Sequence, residues 1–121
     1  MQCYVRGVES TSLTALAVEH LEAARKVSSG RRASTVYGGK EHHLRQTLIA
    51  MVAGEELAEH SSPGEATLQV LTGRIVLRTP DEHWEISEGE FLAIPDVLHS
   101  VEVPEDSVFL LTVAMREAHT S

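Results

Sequence analysis

GEELAEHSSPGEATLQVLTG, running from Gly54 to Gly73, is the stretch from which the rest of the chain can be read. It predicts a strand that leaves a residue near Gly54 and ends on His60. Ser61-Ser62-Pro63-Gly64 supplies turn-forming residues, and Ala66 to Thr72 returns as a second strand that Gly73 breaks. The product is a hairpin with an imidazole at its mouth. A second segment, GEFLAIPDVLH from Gly89 to His99, answers the first. It leaves a turn at Glu88-Gly89, runs through Phe91, Leu92, Ala93 and Ile94, and meets Pro95 shortly before His99. Two separated strands thus deliver two histidines toward one pocket.

Outward from these segments, further strands are predicted at Ser34 to Tyr37, Thr47 to Ala53, Arg74 to Arg78, His83 to Ser87, Ser100 to Val103 and Val108 to Val113. Pro80-Asp81-Glu82 and Pro104-Glu105-Asp106 read as turns between them. Short strands at regular spacing with turn signals between them point to an antiparallel barrel or sandwich. Before them, Leu13, Leu16, Ala17, Leu21, Ala24 and Val27 recur at three- and four-residue spacing, which predicts an amphipathic helix over about 12–29. Ser10 or Ser12 caps its start and Gly30 its end. Arg31 and Arg32 then read as a polar connection, favoured by the negative end of the helix dipole. The organisation is an N-terminal segment 1–33, a β-barrel 34–115 and a polar tail 116–121 containing His119.

The two histidine segments resemble the two sequence motifs of the cupin superfamily, small β-barrels that often hold one divalent metal. The first motif is matched by Gly54, the five-residue gap, His60 and the closing Gly73; the second by Gly89, the five-residue gap, Pro95 and His99. The resemblance implies an all-β, cupin-like antiparallel jelly-roll barrel carrying an N-terminal α-helix. Small cupins of this kind imply a homodimer, with the helix or first strand as contact. Against the motif, Ser62 stands where a second histidine belongs, and Ala66 takes the place of the glutamate because Glu65 lies one residue early. A one-residue slip turns a strand side chain to the opposite face unless a bulge absorbs it. Val97 and Val103 replace a glycine and an asparagine, and His99 arrives one residue early.

What carries over is His60 and His99 as candidate metal ligands, with a third donor from Glu65, His42 or His43. His42 and His43 read as part of a strand that leads to Gly54; adjacent residues on a strand face opposite sides, so at most one of them would face inward. Imidazole and carboxylate donors suit zinc, iron, nickel or manganese. Gln46 and Gln69, polar residues within apolar strands, are candidates for orienting a small-molecule ligand. His20 on the helix and His83 at a turn read as structural, and Trp84 as core or subunit contact.

A chain of 121 residues, 42% of them hydrophobic, is enough for one domain with a core. A net charge of -8 argues against a nucleic-acid surface or an acidic membrane as partner. Cys3 is the sole cysteine, and neither a signal peptide nor a run of about 20 apolar residues is visible, so a soluble cytoplasmic protein is expected. No nucleophile elbow surrounds Ser61 or Ser62. Three readings follow: a small cupin-like protein binding a divalent metal or a small molecule in its barrel; a metal-dependent oxygenase, isomerase or lyase; and a metal-free ligand-binding or sensor protein.

Overall fold

A computed structural model describes residues 9–61 and 64–115, the side chain of Met115 excepted. Cys3, Ser62 and Pro63 of the expected turn, and the expected tail with His119 fall outside the described residues.

Helix α1 (Leu13–Arg25) begins where Ser12, in extended conformation, accepts the Ala15 N–H on its hydroxyl at 3.1 Å. Its buried face is Ala17, His20, Leu21 and Ala24, the three- and four-residue spacing of an amphipathic stripe. The helix stops four residues short of the predicted 12–29. Ser29 donates its hydroxyl to the Arg31 carbonyl at 3.5 Å rather than back along the helix, and Gly30 turns the chain at φ +67°. Arg31 and Arg32 therefore do not form a connection at the helix end. They open strand β1 (Arg31–Tyr37), paired with Met51 and Ala50, and Arg31 reaches Glu55 at 3.2 Å.

Eight more strands follow among the described residues: β2 (Leu44–Met51), β3 (Glu56–His60), β4 (Gly64–Thr72), β5 (Arg74–Arg78), β6 (His83–Ser87), β7 (Phe91–Ala93), β8 (His99–Glu102) and β9 (Ser107–Met115). They form two antiparallel sheets, β1-β2-β9-β4-β7 and β3-β8-β5-β6. The non-sequential order makes this a jelly roll rather than a meander.

Strand alternation divides the five-stranded sheet cleanly. Ile49, Met51, Leu68, Val70 and Phe109 point into the barrel and pack against Ile75, Leu77, Ile86 and Val101 of the other sheet. On the outer face, Leu48, Ala50, Val108 and Leu110 take the apolar stripe of α1, so the helix lies across the outside of the barrel. Trp84 is half-buried against the inner core, and His83 is exposed.

The end of the barrel where β8 leads into β9 is tightly tied. Ser107, fully buried, has its hydroxyl 2.9 Å from the Arg74 carbonyl and 2.7 Å from that of Glu105, and accepts the Arg74 N–H at 3.0 Å. Beside it Gly73, at φ +82°, passes so close that an added Cβ would lie 2.3 Å from the Asp106 carbonyl oxygen. Asp106 accepts the Ala53 N–H at 2.9 Å and the Arg25 guanidinium at 2.8 Å, joining the end of α1 to two turns of the barrel. The Ala53 hydrogen bond first, then Arg25, hold the Asp106 carboxyl below the ordinary aspartate value.

Candidate functional site

His60 and His99 meet at the opposite end. They are cross-strand partners of β3 and β8, with ring centroids 4.6 Å apart and planes inclined at 58°. Their convergence depends on a bulge. Leu57 opposes Val101 and His60 opposes His99, so β3 uses three steps where β8 uses two. Leu57 packs against the core; in a regular strand a residue three further on would face outward, and the extra residue restores His60 to the inner face beside His99.

The two rings differ in environment and share an anchor. His99 is 2% exposed, whereas His60 lies exposed at the rim. Nδ1 of His60 is 2.9 Å from the Ala58 carbonyl, and Nδ1 of His99 is 2.8 Å from the Val97 carbonyl. A carbonyl oxygen can only accept, so both Nδ1 atoms carry the proton and the neutral rings keep their lone pairs on Nε2. Neither Nε2 has a hydrogen-bond partner among the described residues, and neither is among the buried unpartnered atoms. The site is thus two imidazoles with fixed tautomer and two open acceptor atoms at the barrel mouth. Ala58 and Val97, whose carbonyls fix the rings, carry no side-chain signal, so sequence reading had no means of finding them.

The other predicted residues lie elsewhere. Glu65 is exposed and alternates outward, while Ala66 takes the buried, inward position, so the one-residue slip is not absorbed. His42 and His43 precede β2 instead of lying on it, so strand alternation does not turn either inward. His42 packs edge-on against Tyr37, centroids 5.1 Å apart, in a cleft shared with His43, Leu44 and Gln46. Gln46 and Gln69 share the outer face of the five-stranded sheet with Leu48 and Leu110; Gln46 donates to the Thr112 hydroxyl at 3.2 Å, and Gln69 is exposed. A further outer-face cleft of about 580 Å³, lined by Leu44, Glu65, Thr67, Asp96 and Thr112, is likewise separate from the histidine pair.

This arrangement bears on metal binding. Catalytic zinc sites take three protein donors and structural ones four. Among the described residues no group of three His, Cys, Asp or Glu side chains is placed to hold a metal ion. Among the described residues Glu65 and His42 do not join His60 and His99, and the two imidazoles by themselves are one donor short of the three of a catalytic zinc site.

With the geometry described, comparison with known proteins is informative about the fold. No protein-family model matches the chain, and no curated protein matches it in sequence. Solved structures do. A conserved protein of unknown function from Streptococcus pyogenes aligns with a TM-score of 0.69 and 22% identity, over 97% of this chain and 98% of that one. An RmlC-like cupin from Shewanella frigidimarina aligns with a TM-score of 0.64 and 16% identity, over 79% and 86%. A salicylate 1,2-dioxygenase from Pseudaminobacter salicylatoxidans gives 0.69 and 17% over 83% of this chain, which spans only 33% of the dioxygenase. Two antiparallel sheets rolled into a barrel and these neighbours define the fold. The chain has the fold of a small cupin domain, with one N-terminal helix laid on its outer face. No helix among the described residues is long and apolar enough to cross a membrane.

Proposed function

We propose that this protein binds a small organic molecule at the mouth of its barrel, where His60 and His99 accept hydrogen bonds from the ligand. The observation that supports this reading is the pair of anchored rings, each with Nδ1 on a backbone carbonyl and Nε2 open. An acceptor whose orientation is already fixed gives up little entropy when a ligand donor reaches it. A net charge of -8 favours a small-molecule partner over nucleic acid.

A second reading has its own support. Metal-ligating imidazoles commonly donate their other N–H to a carbonyl, which is the arrangement of both rings here. In that reading His60 and His99 hold a divalent ion whose remaining donors come from the ligand. An oxygenase-type activity has only fold-level support, because one architecture serves many chemistries.

Metal content by mass spectrometry and fragment binding by NMR, each on wild type and His60→Ala, separate the two. The organic-ligand reading expects fragment-induced shifts at His60 and His99 that survive a chelator and vanish in the variant. Near-stoichiometric metal in wild type that is lost in His60→Ala establishes the ion instead. Fragments that shift neither histidine would overturn the site.

A further inference from the structure

His20 is the one histidine that the barrel mouth does not account for and that the fold nevertheless buries, at 6% exposure in the middle of the sheet-facing side of α1. Its Nε2 lies 2.7 Å from the Ser34 hydroxyl on β1. Its Nδ1 is buried and has no hydrogen-bond partner among the described residues. Two neutral arrangements satisfy the first contact: Nε2–H donates to Ser34, or the Ser34 hydroxyl donates to Nε2. The imidazolium admits one arrangement only, in which Nε2–H donates to Ser34 and Nδ1–H points at no acceptor. From the Nε2–H form, gaining a proton puts a charge and an unmatched donor into the seam between helix and sheet; from the Nδ1–H form, in which that donor is already unmatched, it adds the charge and obliges the Ser34 hydroxyl to turn from donor to acceptor.

Among the described residues nothing around the ring offsets that charge. On α1 itself the residues three and four away are Leu16, Ala17, Ala23 and Ala24, and Glu19 and Glu22 stand at spacings that do not face His20. The helix-facing side of β1 carries Arg32, a like charge. The same side of β2 and of β9 presents Leu48, Ala50, Val108 and Leu110, none of them titratable. On β4 the one carboxylate of that face, Glu65, lies at the end of the strand remote from Leu71, the residue of β4 that packs with the helix. Arg25, in the last turn, is committed to Asp106.

Of the helix's apolar side chains in this seam, only Leu21 and two alanines, Ala17 and Ala24, are fully buried, with Leu13 and Leu16 partly buried against the same face. We infer that α1 is an acid-released cover, a helix that docks on the outer face of the five-stranded sheet while His20 is neutral and separates from it when His20 takes a proton. The sign follows from the charged form being the poorer fit: acid, by adding the proton, weakens docking, and base restores it. Release would uncover Leu48, Ala50, Val108 and Leu110, a contiguous apolar strip, without disturbing the interior of the barrel. The inference does not depend on what the histidine pair binds.

Amide hydrogen exchange, corrected for intrinsic rates, tests this on the full chain between pH 7.5 and pH 5. An unsatisfied buried donor is expected to lower the protection of α1 roughly ten-fold or more, with the β2 and β9 amides unchanged. In His20→Gln, whose side-chain amide can still donate to Ser34 and does not titrate, α1 protection should be flat over the same range. Loss of the Asp106 charge does not mimic the effect, since that carboxyl is held below the ordinary aspartate value by the Ala53 N–H and Arg25. Wild-type protection that is equal at both pH values overturns the inference, as does an equal fall in His20→Gln. If that variant does not fold, the wild-type ring ¹⁵N titration decides: protonation of His20 with no loss of α1 protection overturns it, and loss that tracks protonation supports it.

Discussion

Where β8 leads into β9, the hydroxyl of Ser107 has three backbone neighbours, Asp106 accepts from a backbone amide and an arginine, and Gly73 leaves no room for a side chain. At the other end of the same sheets, His60 and His99 meet with both Nε2 atoms unpartnered among the described residues. The contrast separates two uses of polar atoms in one barrel. A group whose capacity is filled by its own chain holds the fold and is chemically silent. A group oriented by its own chain and left half-filled is available to a ligand.

Substitutions at the tied end should therefore act on stability and those at the open end on binding. The largest expected effect is from Gly73→Ala, which combines a left-handed backbone with a Cβ driven toward the Asp106 carbonyl. A loss of about 3 kcal/mol is expected in denaturant unfolding, summing strain and overpacking. A loss below ~1 kcal/mol would mean that this turn relaxes freely.

Ser107→Ala comes next. It leaves the Arg74 N–H without its acceptor in a buried position, and about 1–3 kcal/mol should be lost by the same measurement. The smallest change is expected from His60→Ala, which removes an exposed ring at the rim: within about 0.5 kcal/mol of wild type in stability, while ligand shifts at His99 disappear. Stability that falls as far as in Ser107→Ala would erase the distinction between the two ends.

The barrel and the meeting of His60 with His99 could be read from the sequence because spacing carries them: glycine, five residues, then histidine or proline, twice over. The outward turn of Glu65 was also foreshadowed by counting, since Ala66 holds the place expected of the carboxylate and is the residue found buried. Counting failed where local pairing wins over periodicity. Val27 continues the helical stripe, yet the chain leaves the helix at Arg25, because Arg31 and Arg32 find ladder partners on β2. His42 and His43 were placed on a strand whose first paired residue proved to be Leu44. Gln46 and Gln69 needed a face assignment, and composition does not provide one. The tautomer of the two site rings was beyond any sequence signal, being set by the main-chain oxygens of Ala58 and Val97.

The bulge in β3 makes the site depend on how an extra residue is absorbed as much as on residue type. Without it the three steps from Leu57 to His60 would send the imidazole to the far side of the sheet, whereas removing one of the two residues between them would leave two steps against the two of β8, a regular ladder that still sets the histidine opposite His99. A pairwise alignment that opens a single gap there can thus join two chains with the same site, one reaching it by a bulge and the other by a regular strand. For barrels of this kind the spacing between a core anchor and a functional side chain has to be read together with the partner strand, and relatives are better sorted by that pairing than by spacing alone.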